Sequence, residues 1–170
     1  MTDVAAGLGL DPLARLSSGP QFWFADWPCG DVPRSGALVY TIWDRSGRFV
    51  YVGMAGRGLV DDPAVTMVRT GAGPWGRLGS HASGRRSGDQ FCVYVCDRLV
   101  LPTVADRIPE IAAGRLSLDQ LTGAFIRQQL GFRWIVCRSG AEALAIEVDI
   151  QRGGLSCGRP LLNPLGGPQG

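Results

Sequence analysis

The chain has 170 residues, 45% hydrophobic and 19% charged, with a net charge of +2. That balance suits one globular domain with a real core and excludes a disordered or fibrous chain. No apolar run reaches the roughly 18 residues that mark a membrane span, and the opening MTDVAAGLGLDPLARL lacks the apolar stretch of a secretory signal, which points to a cytoplasmic protein.

The small net charge does not by itself announce a polyanion partner. Every basic residue is arginine, however, and no lysine occurs. A coding sequence rich in G and C accounts for such a bias, but arginine also brings a planar fork that suits phosphates. The five cysteines, Cys29, Cys92, Cys96, Cys137 and Cys157, are odd in number and widely spaced. They argue against a disulfide framework, and without a C-x-x-C pair they make no zinc site.

In chain order, residues 1–36 read as an irregular arm whose aromatics Phe22, Trp23, Phe24 and Trp27 cap a core. Residues 37–43 and 49–53 are apolar runs joined by DRSGR, a hairpin signal. A Gly- and Asp-rich loop fills about 55–74, followed by a helix from about Trp75 to Gly84. The run FCVYVC, Phe91 to Cys96, predicts a short strand. Two helical segments come next, one over about Leu101 to Ala113 and one from an N-cap at Ser117 to a C-cap at Gly131. Phe132 to Arg138 predicts a strand, AEALAIEVDIQ predicts a helix stopped by two glycines, and residues 165–170 read as a disordered tail.

Four features stand in a suggestive order: Val39-Tyr40 on one strand, Tyr51-Val52-Gly53 on the next, a helix with Arg77 and His81, and a helix with Glu147 ahead of RPLLNP. This order resembles the GIY-YIG nuclease superfamily. Tyr51-Val52-Gly53 fits the second motif closely, whereas Leu38-Val39-Tyr40 has leucine in place of the first motif's glycine. The resemblance spans about Leu38 to Asn163. It implies an α+β fold with a small antiparallel sheet, three strands plus a possible fourth, flanked by helices. The nuclease domain would cover 37–164, with insertions at about 55–74 and 99–131 decorating it.

The resemblance further implies a metal-dependent endonuclease that hydrolyses phosphodiester bonds in DNA, a stand-alone enzyme of defence or repair. Glu147 is then the metal ligand, because one carboxylate with waters and phosphate oxygens is a usual arrangement for Mg²⁺, with Mn²⁺ as substitute. Glu142 is the rival carboxylate, although its place in the first helical turn already suits the helix dipole. Arg77 would clamp a phosphate oxygen through its guanidinium fork. His81, the only histidine, lies four residues on and thus on the same face; it is either structural or a proton acceptor.

If Tyr40 and Tyr51 lie on neighbouring antiparallel strands, both hydroxyls can face one side of the sheet; the other reading is two half-buried strand tyrosines that only pack. The family implies that Tyr40 takes a proton from water and Tyr51 supports it. A free phenol is a poor base at a pKa of about 10, so that role calls for a neighbouring cation to depress it. Arg57 reads as a phosphate contact, and Arg85 and Arg86 as either a backbone grip or solvated charge. Asn163 is expected to hold the metal helix or a phosphate, and Gly53 to allow a close approach. Sequence-specific cutting would have to come from the insertions or from a homodimer. The alternative is an inactive nucleic-acid-binding or protein-interaction module of the same fold, which the missing glycine of the first motif favours.

Overall fold

The computed structural model describes residues 11–59 and 73–163. The fold is α+β, with a four-stranded antiparallel sheet in the order β1-β4-β2-β3. The strands are β1 (Phe22–Trp23), β2 (Ala37–Asp44), β3 (Phe49–Ala55) and β4 (Leu130–Cys137). The helices are α1 (Pro12–Ser18), α2 (Pro74–Ser83), α3 (Gln90–Val95), α4 (Ile108–Ala112), α5 (Leu118–Gln129) and α6 (Gly140–Gln151). Among the described residues, no helix is long and apolar enough to cross a membrane.

The sequence of β2 explains the layering. A strand presents alternate residues to opposite faces, and here both faces are buried. Leu38, Tyr40 and Ile42 join Leu78, Phe91 and Ile126 in one apolar cluster. Val39 and Trp43 join Leu16, Ala143 and Ile150 in the other. A strand covered on both sides reads as a continuous apolar run rather than an alternating one, which is how ALVYTIW appears. Thr41, the one polar residue in that run, is satisfied by donating to the Leu16 carbonyl at 2.6 Å and accepting from the Trp43 indole at 2.9 Å.

Several elements differ from expectation. The segment over residues 11–36 is not irregular: it forms α1, and Phe22 and Trp23 pair with Phe132 and Gly131 to make the sheet's fourth strand. Its aromatics do pack, Phe22 stacking on Phe132 and Trp27 against Trp75. Phe91–Cys96 is helical rather than a strand. Asp89 caps it by accepting from the Phe91 and Cys92 amides, and the buried positions Phe91, Cys92, Val95 and Cys96 follow helical, not alternating, spacing. Gly131 is not a C-cap, because α5 passes straight into β4 at Leu130.

The stretch from Leu101 to Ala113 breaks into two 3₁₀ turns and the short α4, with Pro102 and Pro109 near the starts of two of these pieces. Helix α5, in the segment read as a decoration, buries Ile126 in the same cluster as Tyr40 and is part of the core. The predicted helix boundaries at Ser117 and Gly84 hold: Ser117 accepts from the Gln120 amide, and Gly84 ends α2 at φ 72°. Most of the expected loop over 55–74, and the tail beyond 163, lie outside the described residues.

The free edge of β3 is covered by residues 161–163. The Leu161 and Leu162 amides donate to the carbonyls of Phe49 and Val50, and the Asn163 side chain clasps Val52, accepting from its amide at 2.8 Å and donating to its carbonyl at 2.9 Å.

Candidate active site

A cavity of about 850 Å³ opens beside the sheet and gathers Tyr40 from β2, Tyr51 from β3, Arg57 from the loop after it, Arg77 and His81 from α2, and Glu147 from α6. The strand register brings the phenols together. Tyr40 stands opposite Gly53 and Ile42 opposite Tyr51, so both rings project from one face, one pair apart. Arg77 and His81 are four residues apart on α2 and both line the cavity, Arg77 exposed and His81 buried. The Gly140 amide donates to the Leu59 carbonyl at 2.8 Å, which ties the start of α6 to the loop carrying Arg57.

Behind Tyr40 lies a chain of buried hydrogen bonds. The Tyr40 hydroxyl is 2.7 Å from His81 Nε2, and His81 Nδ1 is 2.7 Å from Asp89 Oδ2. The His81 and Asp89 side chains are only 3% and 2% exposed. The other carboxylate oxygen of Asp89 is held by the two α3 amides. Phe91 lies against the imidazole at 4.6 Å between ring centroids, and the Tyr51 ring meets it edge-on.

Burial dominates the electrostatics of the phenols. It holds Tyr40 well above the ordinary phenol range, reinforced by Tyr51, Asp89 and Glu147, while Arg77 opposes it only in part. Tyr51 is raised as well, by burial and then by Glu147 and Asp89. Arg77 acts to lower both phenols, but loss of solvation outweighs it, so the depression that a phenolate base would call for is not met. Burial also acts to raise Asp89, but the hydrogen bond from His81, with the α3 amides, leaves it below the usual carboxylate range. Glu147 is raised by burial, which the neighbouring Arg57 and Arg77 offset only partly.

Several expected residues lie elsewhere. Asn163 does not hold the metal helix or line the cavity; both ends of its amide are engaged by Val52. Arg86 does not line the cavity either, because its guanidinium pairs with Asp119 at 2.7 Å. Arg85 is exposed next to it, past the end of α2. Glu142 sits at the α6 N-terminus, accepting from the Arg138 amide and pairing with the Arg138 side chain, and it too is absent from the cavity lining. Asp89 is a further residue of the site; its sequence signal is an aspartate directly ahead of an apolar run, a helix-cap pattern masked by the strand-like composition of that run.

Among the described residues, no group of three or more His, Cys, Asp or Glu side chains is placed to hold a metal ion. The donor set in the cavity is the half-buried Glu147 alone, since Asp89 is committed to His81 and the α3 amides. One carboxylate fits a hard cation such as Mg²⁺, which keeps most of its waters and completes its shell with substrate phosphates. No family model, curated protein or solved structure matches this chain.

Proposed function

We propose that the chain is a divalent-metal-dependent endonuclease of the GIY-YIG type, hydrolysing phosphodiester bonds in DNA. The observation that supports this most is the convergence of Tyr40, Tyr51, Arg57, Arg77 and Glu147 in one cavity, although they are spread over more than a hundred positions of sequence. Two guanidinium groups and a single carboxylate suit a phosphodiester and a hard cation, and Arg57, Arg77 and Glu147 belong to neither apolar cluster of the core.

In this reading Arg77 and Arg57 hold the nonbridging oxygens of the scissile phosphate, the guanidinium fork matching phosphate geometry. Glu147 holds Mg²⁺ or Mn²⁺, which supplies charge stabilisation at the phosphate. Tyr40 accepts a proton from the attacking water, and Tyr51 orients that water or the phosphate beside it. The inactive-module alternative draws on Leu38, which replaces the glycine of the first motif. Leu38 is fully buried in the core and absent from the cavity lining, so it neither blocks nor removes a reacting group.

Incubation with supercoiled plasmid and Mg²⁺ or Mn²⁺ tests the proposal. Nicking that EDTA stops is the expected result. Retention of labelled DNA without nicking, in either metal, would favour the binding-module reading.

A further inference from the structure

Asp89 is the residue whose purpose the cleavage reading leaves open. As a helix cap it needs one oxygen, yet its second oxygen is spent on the only histidine of the chain, deep inside the protein. An ionised carboxylate is acceptor-only, so the contact at 2.7 Å requires a proton on His81 Nδ1. When the imidazole is neutral, its lone pair is then at Nε2, facing the Tyr40 hydroxyl at 2.7 Å, and Tyr40 donates that bond. Both imidazole nitrogens are occupied and the ring is 3% exposed, so in this arrangement a proton from the cavity reaches His81 only through Tyr40.

We propose that Asp89 is a positioning residue for phosphodiester cleavage, fixing His81 as the Nδ1–H tautomer so that Nε2 receives the Tyr40 proton while Tyr40 takes one from the attacking water. The inference rests on the endonuclease reading. The steps balance without a free phenolate. The water oxygen forms its bond to phosphorus as its proton moves to the Tyr40 oxygen, and the original Tyr40 proton moves to His81. The bond to the leaving oxygen breaks, and that oxygen takes a proton from solvent water. The imidazolium, paired with the Asp89 carboxylate, returns its proton through Tyr40 to solvent water, and the neutral tautomer is restored. This resolves the difficulty posed by a buried phenol: the phenolic oxygen passes a proton along and need not hold a negative charge. The arrangement follows the Ser-His-Asp logic, with the phenol between water and imidazole.

The test is Asp89→Asn. The α3 amides need an acceptor, so they keep the asparagine oxygen and turn its NH₂ toward His81. The amide then donates to Nδ1, moving the ring proton to Nε2 and leaving Tyr40 without an acceptor behind it. Nitrogen-15 NMR of the single histidine reads the tautomer without ambiguity, independently of cleavage. We expect Nδ1–H in the wild type, Nε2–H in the variant, an unchanged KM for plasmid and a turnover lower by on the order of 10²- to 10⁴-fold. Asp89→Ser, which keeps a good cap but offers no carboxylate, should lose a similar factor and decides the matter if the asparagine variant does not fold. A wild-type Nε2–H tautomer, or a folded variant with wild-type turnover, would overturn the relay and leave the endonuclease standing. No cleavage by the wild type in either metal would overturn the endonuclease reading, and the role of Asp89 with it.

Discussion

The hydroxyl of Tyr40 occupies the space that the side chain of any residue but glycine would need at position 53. The two residues are direct cross-strand partners, and a Cβ on Gly53 would run into the phenol's ring and oxygen. The glycine of Tyr51-Val52-Gly53 is thus a socket for a tyrosine on the neighbouring strand. Gly53→Ala should push the hydroxyl away from His81, lower stability by about 1–3 kcal/mol through overpacking, and cut nicking more than the stability loss explains. Thermal melting together with rate per folded molecule checks it; unchanged rates would mean that the position of Tyr40 is unimportant.

Glu147→Gln should abolish metal-dependent nicking, since the amide is a poor ligand for a hard cation. Its effect on stability has the opposite sign. Burial raises the Glu147 carboxyl, so folding favours the protonated form. The stability associated with that form is complete below the pKa of the unfolded chain and disappears as pH rises through the higher folded value. At neutral pH the glutamine variant should therefore melt no lower than the wild type. Mg²⁺ should raise the melting temperature of the wild type alone, and this metal effect should fade on acidification from a higher pH than an ordinary glutamate would give. A variant that still nicks with Mg²⁺ would remove Glu147 as ligand.

Tyr40→Phe and Tyr51→Phe should separate sharply. The first removes the partner of His81 Nε2 in a buried site and leaves that nitrogen unsatisfied, a cost of about 1–3 kcal/mol. The same change should lower turnover by about 10²-fold or more. Tyr51 is only half-buried at the cavity wall, so its hydroxyl can be replaced by water and both losses should be smaller. Melting curves and single-turnover rates of the two variants give the comparison; equal, small losses would return both phenols to a packing role.

Asn163→Ala should act on stability alone. It strips the amide and carbonyl of Val52 of their partners, each costing about 1–3 kcal/mol if left buried and unpaired. Nicking per folded molecule should hold near the wild-type value. A stable variant without activity would bring Asn163 back to the reaction.

The sequence carried the hairpin, the two later helices and most of the cavity because those signals are local. Tyr40 and Tyr51 sit on strands with unmistakable apolar runs, and the four-residue spacing of Arg77 and His81 places them on one face of any helix. The fourth strand depends on contacts distant in sequence, whereas Asp89 is a local cap masked by the strand-like composition of the run that follows it. Phe22 and Trp23 become a strand only because β4 offers them an edge. FCVYVC has strand-forming composition, and only the cap at Asp89 together with burial on one helical face turns it into a helix. A chemical role for Asn163 comes only from the family resemblance; its bonds to Val52 follow from where residues 161–163 lie along β3.

That placement also covers backbone groups at the edge of the sheet. An outer strand with unpaired amides and carbonyls is a template for a second strand, and proteins commonly blunt such edges with charge, proline or a bulge. Here a side-chain amide stands in for a peptide group, bonding Val52 in both directions, while Leu161 and Leu162 bond consecutive rather than alternate residues of β3. Residues 161–163 cover this part of the edge without themselves becoming a strand, so the backbone groups on either side of Tyr51 are already bonded within the chain.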